Sequence, residues 1–226
     1  MNKMMKTALM AATALLALGA CTVDKGKLLS DMTGTWESAE EIGDQPATVS
    51  TQFFANKDGE TGNFVEEVSH FQVMEDKHGL PYNVHYEVYA TGTYQLNDAG
   101  DLCMQYDTAS VEVYPNEEDM KVYRQRVQEW DAAQESPSYA NSEDNPEMFS
   151  AYLVYLFNFD VSDLWKHVFA DISDKKGSPS KLGLKIDGSK LTFSNVEGAK
   201  CTWTRAKENI VEEDFFDDDE DLFMDK

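Results

Sequence analysis

The sequence predicts a mainly β fold, an eight-stranded antiparallel sheet with a helical insertion between its fifth and sixth strands. Three observations lead to this prediction. Residues 82–97 alternate apolar and polar side chains over their whole length, as in a sheet with one dry and one wet face. Turn signals separate this segment from similar segments before and after it. Residues 115–179 then take on a helical spacing of apolar residues before strand-like segments return.

Five strand-like segments precede the insertion: Gly34–Glu41, 48–55, 63–74, 82–97 and 101–114. The second and third flank Asn56-Lys57-Asp58-Gly59, which is a hairpin signal. In the fifth, the apolar alternation of Leu102 to Tyr106 is out of phase with Val111 and Val113. We therefore expect a β-bulge between Asp107 and Ser110.

The spacing of apolar residues in the insertion predicts two or three helices. Glu117, Glu118 and Asp119 are acids suited to a helix N-terminus, and helical spacing follows as far as residue 134. Asn145-Pro146 indicates the start of a second helix, because Asn caps free N–H groups and Pro fits the first turn. We expect a third helix to begin at Asp160 or Ser162 and to run to about Ile172.

Three short strands complete the domain: 181–186, 190–195 and 199–205, with Asp187-Gly188 as a hairpin turn. Eight strands in hairpin succession would leave two exposed edges if the sheet stayed open. We therefore expect the first and last strands to pair and to close the sheet into a barrel. A barrel of this strand number is either filled by side chains or holds one small ligand.

Residues 1–20 have the pattern of a removable signal peptide. Lys3 and Lys6 are the only charges before Cys21, and the run between Lys6 and Cys21 consists mainly of apolar and small residues. That run is shorter than the roughly 20 residues that a membrane-spanning helix needs. Leu18-Gly19-Ala20-Cys21 resembles the lipobox of bacterial lipoproteins, in which cleavage precedes a cysteine that carries lipid.

This resemblance implies that Cys21 is the lipid attachment site, acylated with chains such as palmitate, and that residues 21–32 form a lipidated tether. Two or more acyl chains anchor a protein stably, since each buried methylene contributes about 0.8 kcal/mol. Thr22 stands where the family's inner-membrane retention signal has Asp, so the resemblance favours a lipid anchor in the outer membrane. The sequence does not decide between the periplasmic face and the surface face of that membrane.

The first and last strands carry a second resemblance. Gly34-Thr35-Trp36 is similar to the G-x-W motif of lipocalins, and Arg205 stands where that family has an arginine packed on the tryptophan. The resemblance implies structural roles for Trp36 and Arg205, and a lipocalin-like barrel domain over residues 33–206. The insertion at 115–179 departs from the family's pattern and could close the mouth of the barrel.

Aromatic residues are the candidates for a ligand site. Five of them could line a cavity: Phe71, Tyr82, Tyr86, Tyr94 and Tyr152. The alternative is that they form an ordinary core beneath the insertion. The sequence therefore leaves two functions open. One is a non-enzymatic binder or carrier of a small apolar ligand. The other is a structural lipoprotein with a packed barrel, which contacts another envelope protein through its helices or acidic tail.

No sequence motif indicates an enzyme, a metal site or a cofactor. The 4 histidines have no ligand-type spacing, and no P-loop, G-x-S-x-G or dinucleotide motif occurs. We expect His70, His85 and Glu87 to lie on a solvated polar face of a strand pair rather than to form a zinc site. We therefore predict a protein that is not an enzyme, with no catalytic residues, no metal and no cofactor.

The charge argues against nucleic acid as a partner. The formal net charge is −23, which becomes −25 without Lys3 and Lys6, whereas affinity for nucleic acid comes from basic side chains. Residues 207–226 are predicted to be a disordered acidic tail, because their acids repel one another. Cys103 and Cys201 could form a disulfide in an oxidising compartment or stand apart as small apolar residues, and the sequence leaves both open.

Overall fold

The computed structural model describes residues 23–42, 45–75, 79–134, 146–173, 180–195, 197–212 and 215–216. The expected signal peptide and Cys21 lie outside this set. The elements are α1 (Lys25–Met32), β1 (Gly34–Ile42), β2 (Gln45–Ala55), β3 (Thr61–Glu75), β4 (Pro81–Leu96), β5 (Leu102–Pro115), α2 (Glu117–Ala132), α3 (Pro146–Ser173), β6 (Lys181–Asp187), β7 (Lys190–Asn195) and β8 (Lys200–Arg205). None of these helices is long and apolar enough to cross a membrane.

Eight antiparallel strands form one ring-like sheet in which each strand pairs with its neighbours in sequence. The ring is completed where β1 meets β8, through the pairs Trp36–Arg205 and Glu37–Thr204. The longest ladder joins β3 to β4, from Thr61–Gln95 to Glu75–Pro81. The mainly β class, the strand order and the pairing of the first strand with the last are therefore confirmed.

The alternation in β4 and the bulge in β5 are also confirmed. Every second residue of β4 from Val84 to Leu96 is buried, and the residues between them are exposed or half-buried. Tyr89 pairs with Glu112 while Thr91 pairs with Asp107, so that residues 108–111 stand opposite a single residue of β4. This bulge turns the second half of β5 so that its valines face the core.

Helix α1 closes one end of the ring. Asp24 caps it by accepting a hydrogen bond from the Lys27 N–H, and Leu29 and Met32 are buried against the core. The segment was expected to be a tether from residue 21 to residue 32, and from Lys25 onward that expectation is wrong. Leu29 and Met32 lie three residues apart on one helical face, so folding as a helix buries both, which an extended tether would not do.

The described residues of the insertion form two helices rather than the three that were expected as the upper number. Asn116 caps α2 by accepting from the N–H groups of Glu118 and Asp119. The predicted break at Asp160 or Ser162 is wrong, because α3 continues from Pro146 to Ser173. Its buried residues recur every four positions without interruption: Phe149, Leu153, Phe157, Val161, Trp165 and Phe169. Burial of this stripe along one face holds the helix together through two residues that would otherwise suit a cap.

The end of α3 lies where the sheet is least paired. In the described part of the chain, β5 and β6 pair at Leu102–Lys181 alone. Further along β5, the Tyr106 N–H donates to Ser173 Oγ at 2.9 Å, and the Met104 N–H donates to Ser180 Oγ at 3.2 Å. Ser173 of α3 and Ser180, just before β6, therefore satisfy backbone groups of β5 that β6 does not reach, and the Ser173 contact holds the end of α3 against the ring.

Part of the expected acidic tail has defined contacts. The N–H groups of Ile210 and Val211 donate to Gln52 Oε1 at 2.8 and 2.9 Å, and Gln52 Nε2 donates to the Val211 carbonyl at 3.1 Å. Residues 210 and 211 thus lie against the outside of β2, while residues 213–214 and 217–226 lie outside the described set. Cys103 and Cys201 are free thiols and half-buried.

Candidate functional site

A cavity of about 520 Å³ lies at the end of the ring remote from α1. It is bounded by the last residues of β1, the first residues of β2, the middle of β3 and the second half of α3. Its apolar lining residues include Val49, Val68, Trp165, Val168, Phe169 and Ile172. Its polar lining residues include Glu40, Gln45, Glu66, His70 and Lys181, and the Trp203 indole also lines it.

Aromatic contacts fix α3 as one wall of this cavity. The ring of Phe169 stacks on that of Tyr106 with 4.4 Å between centroids and 16° between planes. Trp165 Nε1 donates to the Tyr86 hydroxyl at 3.1 Å. The helix is therefore held by specific contacts with β4 and β5 and leaves a defined space beside them.

Glu66 is a carboxyl group buried in the ring interior, 5 % exposed. It accepts hydrogen bonds from Thr51 Oγ1 and from the Tyr106 hydroxyl, each at 2.9 Å. Burial raises the pKa of the Glu66 carboxyl, and the charge of Lys181 acts in the opposite direction. The pKa of the Tyr106 hydroxyl is raised by burial and then by the nearby Glu66 charge.

Lys181, at the start of β6, places its ammonium over two aromatic rings. Its Nζ lies 4.5 Å from the centroid of Phe193 and 4.5 Å from the centroid of the Trp203 indole. Such cation–π contacts stabilise an ammonium that has lost part of its water. Burial lowers the pKa of Lys181, while the charges of Glu66 and Glu40 raise it.

Two further polar atoms at the cavity have no hydrogen-bond partner among the described residues: Trp203 Nε1 and His70 Nδ1. Trp203 is 1 % exposed and His70 is 6 % exposed. Burial lowers the pKa of His70, while a hydrogen bond with the Pro46 backbone raises it. Because Nδ1 is unpartnered, that bond comes from Nε2, and Nδ1 of the neutral ring is then an acceptor. The indole N–H can only donate.

The structure brings one described member of the predicted ligand set to the cavity. Tyr86 lines it, whereas Tyr94 lies near the closed end, 5.0 Å from the Phe53 ring centroid. Phe71 lies on the other face of β3, 4.5 Å from the His85 ring. Tyr152 is 40 % exposed on α3. The side chain of Tyr82 lies outside the described set.

The structure corrects the position expected for His70. It pairs with Tyr86 on the dry face of the ladder, whereas His85 and Glu87 are exposed on the outer face. The alternation in β3 could have indicated that His70 is buried, because His70 is in phase with the buried Phe64, Glu66 and Val68. Among the described residues, no three His, Cys, Asp or Glu side chains are grouped so that they could hold a metal ion.

Sequence reasoning also missed Glu66, Lys181 and Trp203 as residues of the cavity. Trp203 alternates with exposed neighbours in β8, which indicated burial but not a free N–H. Lys181 stands at the first position of a short strand, where no pattern indicates its direction. Comparison of the chain with protein-family models, with curated proteins and with solved structures finds no match. The cavity and the amino-terminal pattern are therefore the observations that bear on function.

Proposed function

We propose that this protein is a lipid-anchored lipoprotein of the outer membrane whose lipocalin-like barrel binds or carries a small, largely apolar ligand without converting it. The cavity carries the proposal. Its volume of about 520 Å³ falls in the range of roughly 300–1,000 Å³ found for small-molecule sites. Such sites combine mostly apolar walls with a few polar groups, as this cavity does.

Contacts at the closed end support the lipocalin-like part of the proposal. The Arg205 guanidinium lies 4.3 Å from the centroid of the Trp36 ring, which is the contact that the resemblance implies. Arg205 also donates to the carbonyl oxygens of Thr33 and Asp31, each at 2.8 Å. One end of the ring is thus closed by a short helix, and the cavity lies at the other.

The polar groups of the cavity favour binding over catalysis. Both oxygens of Glu66 already accept hydrogen bonds from hydroxyl groups, so the carboxyl is held rather than poised to move a proton. The Lys181 ammonium rests on two rings, an arrangement that stabilises its charge. General acid–base chemistry needs a group within hydrogen-bond reach of the atom it protonates and with a matched pKa.

Native mass spectrometry of the chain lacking residues 1–21 tests ligand binding. We expect a co-purifying small molecule, which is lost in Val168→Trp because the larger side chain fills the cavity from its helical wall. Val122→Trp, at an exposed position of α2, is the matched control and should retain the molecule. Circular dichroism checks that both variants fold.

An empty wild-type chain that shows no thermal shift with fatty acids or sterols would contradict ligand binding. That outcome would favour the alternative, a structural lipoprotein that contacts another envelope protein. The alternative has one observation of its own: α3 presents Met148, Tyr155 and Phe159 to solvent with exposures of 65 %, 63 % and 60 %. Exposed apolar patches of this kind can mark contacts with a partner.

Palmitate labelling tests the anchor. In Cys21→Ser we expect no label and a protein that is released or left as the unprocessed precursor, because the acylated thiol is absent. Cys103→Ser is the matched control and should be labelled and membrane-bound like the wild type. Density fractionation of the labelled protein then checks the outer membrane against the inner one. Labelling that persists in Cys21→Ser would place the anchor elsewhere.

A further inference from the structure

Two donor groups in the cavity wall have no acceptor among the residues that the structure describes. Trp203 Nε1 is buried and has no hydrogen-bond partner in the described part of the chain. The Lys181 ammonium lies 4.5 Å from the centroid of the same indole, and its contacts there are with ring faces. An indole N–H and an ammonium can only donate hydrogen bonds. Within the described residues, neither group therefore has an acceptor oxygen at hydrogen-bond distance.

We propose that the ligand is an amphiphile with a carboxylate head, and that this carboxylate accepts hydrogen bonds from Trp203 Nε1 and Lys181 Nζ. The inference rests on the proposed function and names the class of ligand for the same cavity. A buried donor without an acceptor is unfavourable, so a ligand oxygen at this position would remove a cost that the empty cavity carries.

Glu66 and Glu40 act on Lys181 through their charge, but they do not occupy the hydrogen-bonding positions of its ammonium. Glu66 accepts from Thr51 and Tyr106, and Glu40 accepts from Ser38 Oγ at 2.9 Å. Within the described residues, neither forms an ion pair with Lys181 at contact distance. Charge-assisted hydrogen bonds are stronger than neutral ones, so a carboxylate should be preferred over a hydroxyl at the same place.

The rest of the cavity fits the apolar body of an amphiphile. Val168, Phe169 and Ile172 of α3 line it, as do Val49 and Val68 of the sheet. His70 does not compete for the carboxylate, because its free Nδ1 is itself an acceptor. We therefore assign the apolar body to these apolar side chains and the carboxylate head to Trp203 and Lys181.

Three probes with one apolar body and different heads test this assignment: phenylbutyrate, phenylbutanol and phenylbutylamine. Their affinities for the full chain in lipid nanodiscs are measured by calorimetry. We expect phenylbutyrate to bind about tenfold more tightly than phenylbutanol, and phenylbutylamine to bind most weakly. The indole N–H resonance of Trp203, assigned through Trp203→Phe, should shift when phenylbutyrate is added.

Two variants test whether Trp203 and Lys181 cause the preference for phenylbutyrate. Trp203→Phe keeps an aromatic ring but no N–H, and Lys181→Met keeps the length of the side chain but no charge. Each should abolish most of the preference for phenylbutyrate over phenylbutanol. Lys185→Met, an exposed position on the same strand, is the matched control and should leave the preference intact.

The outcomes separate this inference from the proposed function. Equal binding of the three probes, or a preference that survives in both Trp203→Phe and Lys181→Met, would overturn the carboxylate assignment and leave the cavity as a binding site. If none of the probes binds, the result counts against the proposed function itself. A preference for phenylbutanol would assign a neutral head instead and overturn the inference.

Discussion

The two ends of the ring differ in how completely their groups are satisfied. At the closed end, Trp36, Phe53 and Phe64 are fully buried, and Trp36 Nε1 donates to the Met32 carbonyl at 2.6 Å. A second indole, Trp203, stacks on Phe53 with 6.3 Å between centroids and lines the cavity; it is equally buried, and its N–H has no partner among the described residues. One tryptophan is part of a complete packing arrangement, and the other borders a cavity.

Packing around the buried Phe64 ring is tight. Gly92 pairs with Phe64 across β3 and β4, and a Cβ at Gly92 would lie 2.5 Å from Phe64 Cζ and 2.3 Å from the Gln105 carbonyl oxygen. The Phe64 ring therefore fits here because Gly92 has no side chain. At the other end, large side chains leave a cavity of about 520 Å³ between them.

This difference indicates a division of roles between the two ends. Local rules of packing and hydrogen bonding are expected to hold where a structure serves stability and to be broken where it serves function. We therefore expect substitutions at the closed end to change the free energy of unfolding most. Substitutions at the cavity should change ligand binding most.

The largest effect is expected for Trp36→Ala. This change removes a fully buried indole, its hydrogen bond to Met32 and the surface on which Arg205 packs, and such truncations cost about 3–5 kcal/mol. Ile172→Ala, at the half-buried cavity wall, should cost clearly less. Urea denaturation gives both free energies of unfolding. Equal costs at the two positions would contradict the division of roles.

The strands and the closed end could be predicted because their signals are local. The alternation from Val84 to Leu96 is visible within one segment, and the phase change in β5 locates its bulge. Helix α1 was missed although Asp24 stands at a capping position, because the apolar residues after it are few. The continuity of α3 was missed because Asp160 and Ser162 are residue types that often cap the start of a helix. Only the tertiary burial of the helix shows that neither residue starts a new helix here.

The cavity could not be predicted because its polar groups meet across strands that are distant in sequence. Glu66 of β3 is held by Thr51 of β2 and Tyr106 of β5. Lys181 and Trp203 belong to β6 and β8, and the indole N–H is free only because nothing in the described fold reaches it. Periodicity gives the face on which a residue lies, but not the partner it meets or lacks.

Glu66→Gln gives the second prediction, on pH dependence. Burial raises the pKa of Glu66 in the folded protein above its ordinary value of 4.5, so the folded state binds the proton of this carboxyl more tightly than the unfolded state. The stability that Glu66 contributes is therefore full below pH 4.5 and is lost as pH rises through the folded pKa. In Glu66→Gln, the free energy of unfolding should not show this loss as the pH rises.

The measurement is a series of urea denaturations at pH values on both sides of 4.5. Glu87→Gln, on the exposed outer face of β4, is the matched control and should follow the wild-type curve. Because many other acids titrate in the same range, the informative quantity is the difference between wild type and variant. A difference that does not change with pH would show that Glu66 has the same pKa in the folded and unfolded chains.

The smallest effect is expected for Tyr94→Phe, which tests a buried polar group at the closed end that is not satisfied by a hydrogen bond in the described part of the chain. The Tyr94 hydroxyl is buried without a hydrogen-bond partner among the described residues, while its ring packs edge-on against Phe53. The substitution keeps the ring contact and removes the unsatisfied hydroxyl, so it should raise the free energy of unfolding by about 1 kcal/mol. Affinity for phenylbutyrate should not change, in contrast to Trp203→Phe, which also removes an unpartnered donor. If Tyr94→Phe instead destabilises the protein, the hydroxyl is bonded to a buried water, and the closed end has no unsatisfied polar side chain there.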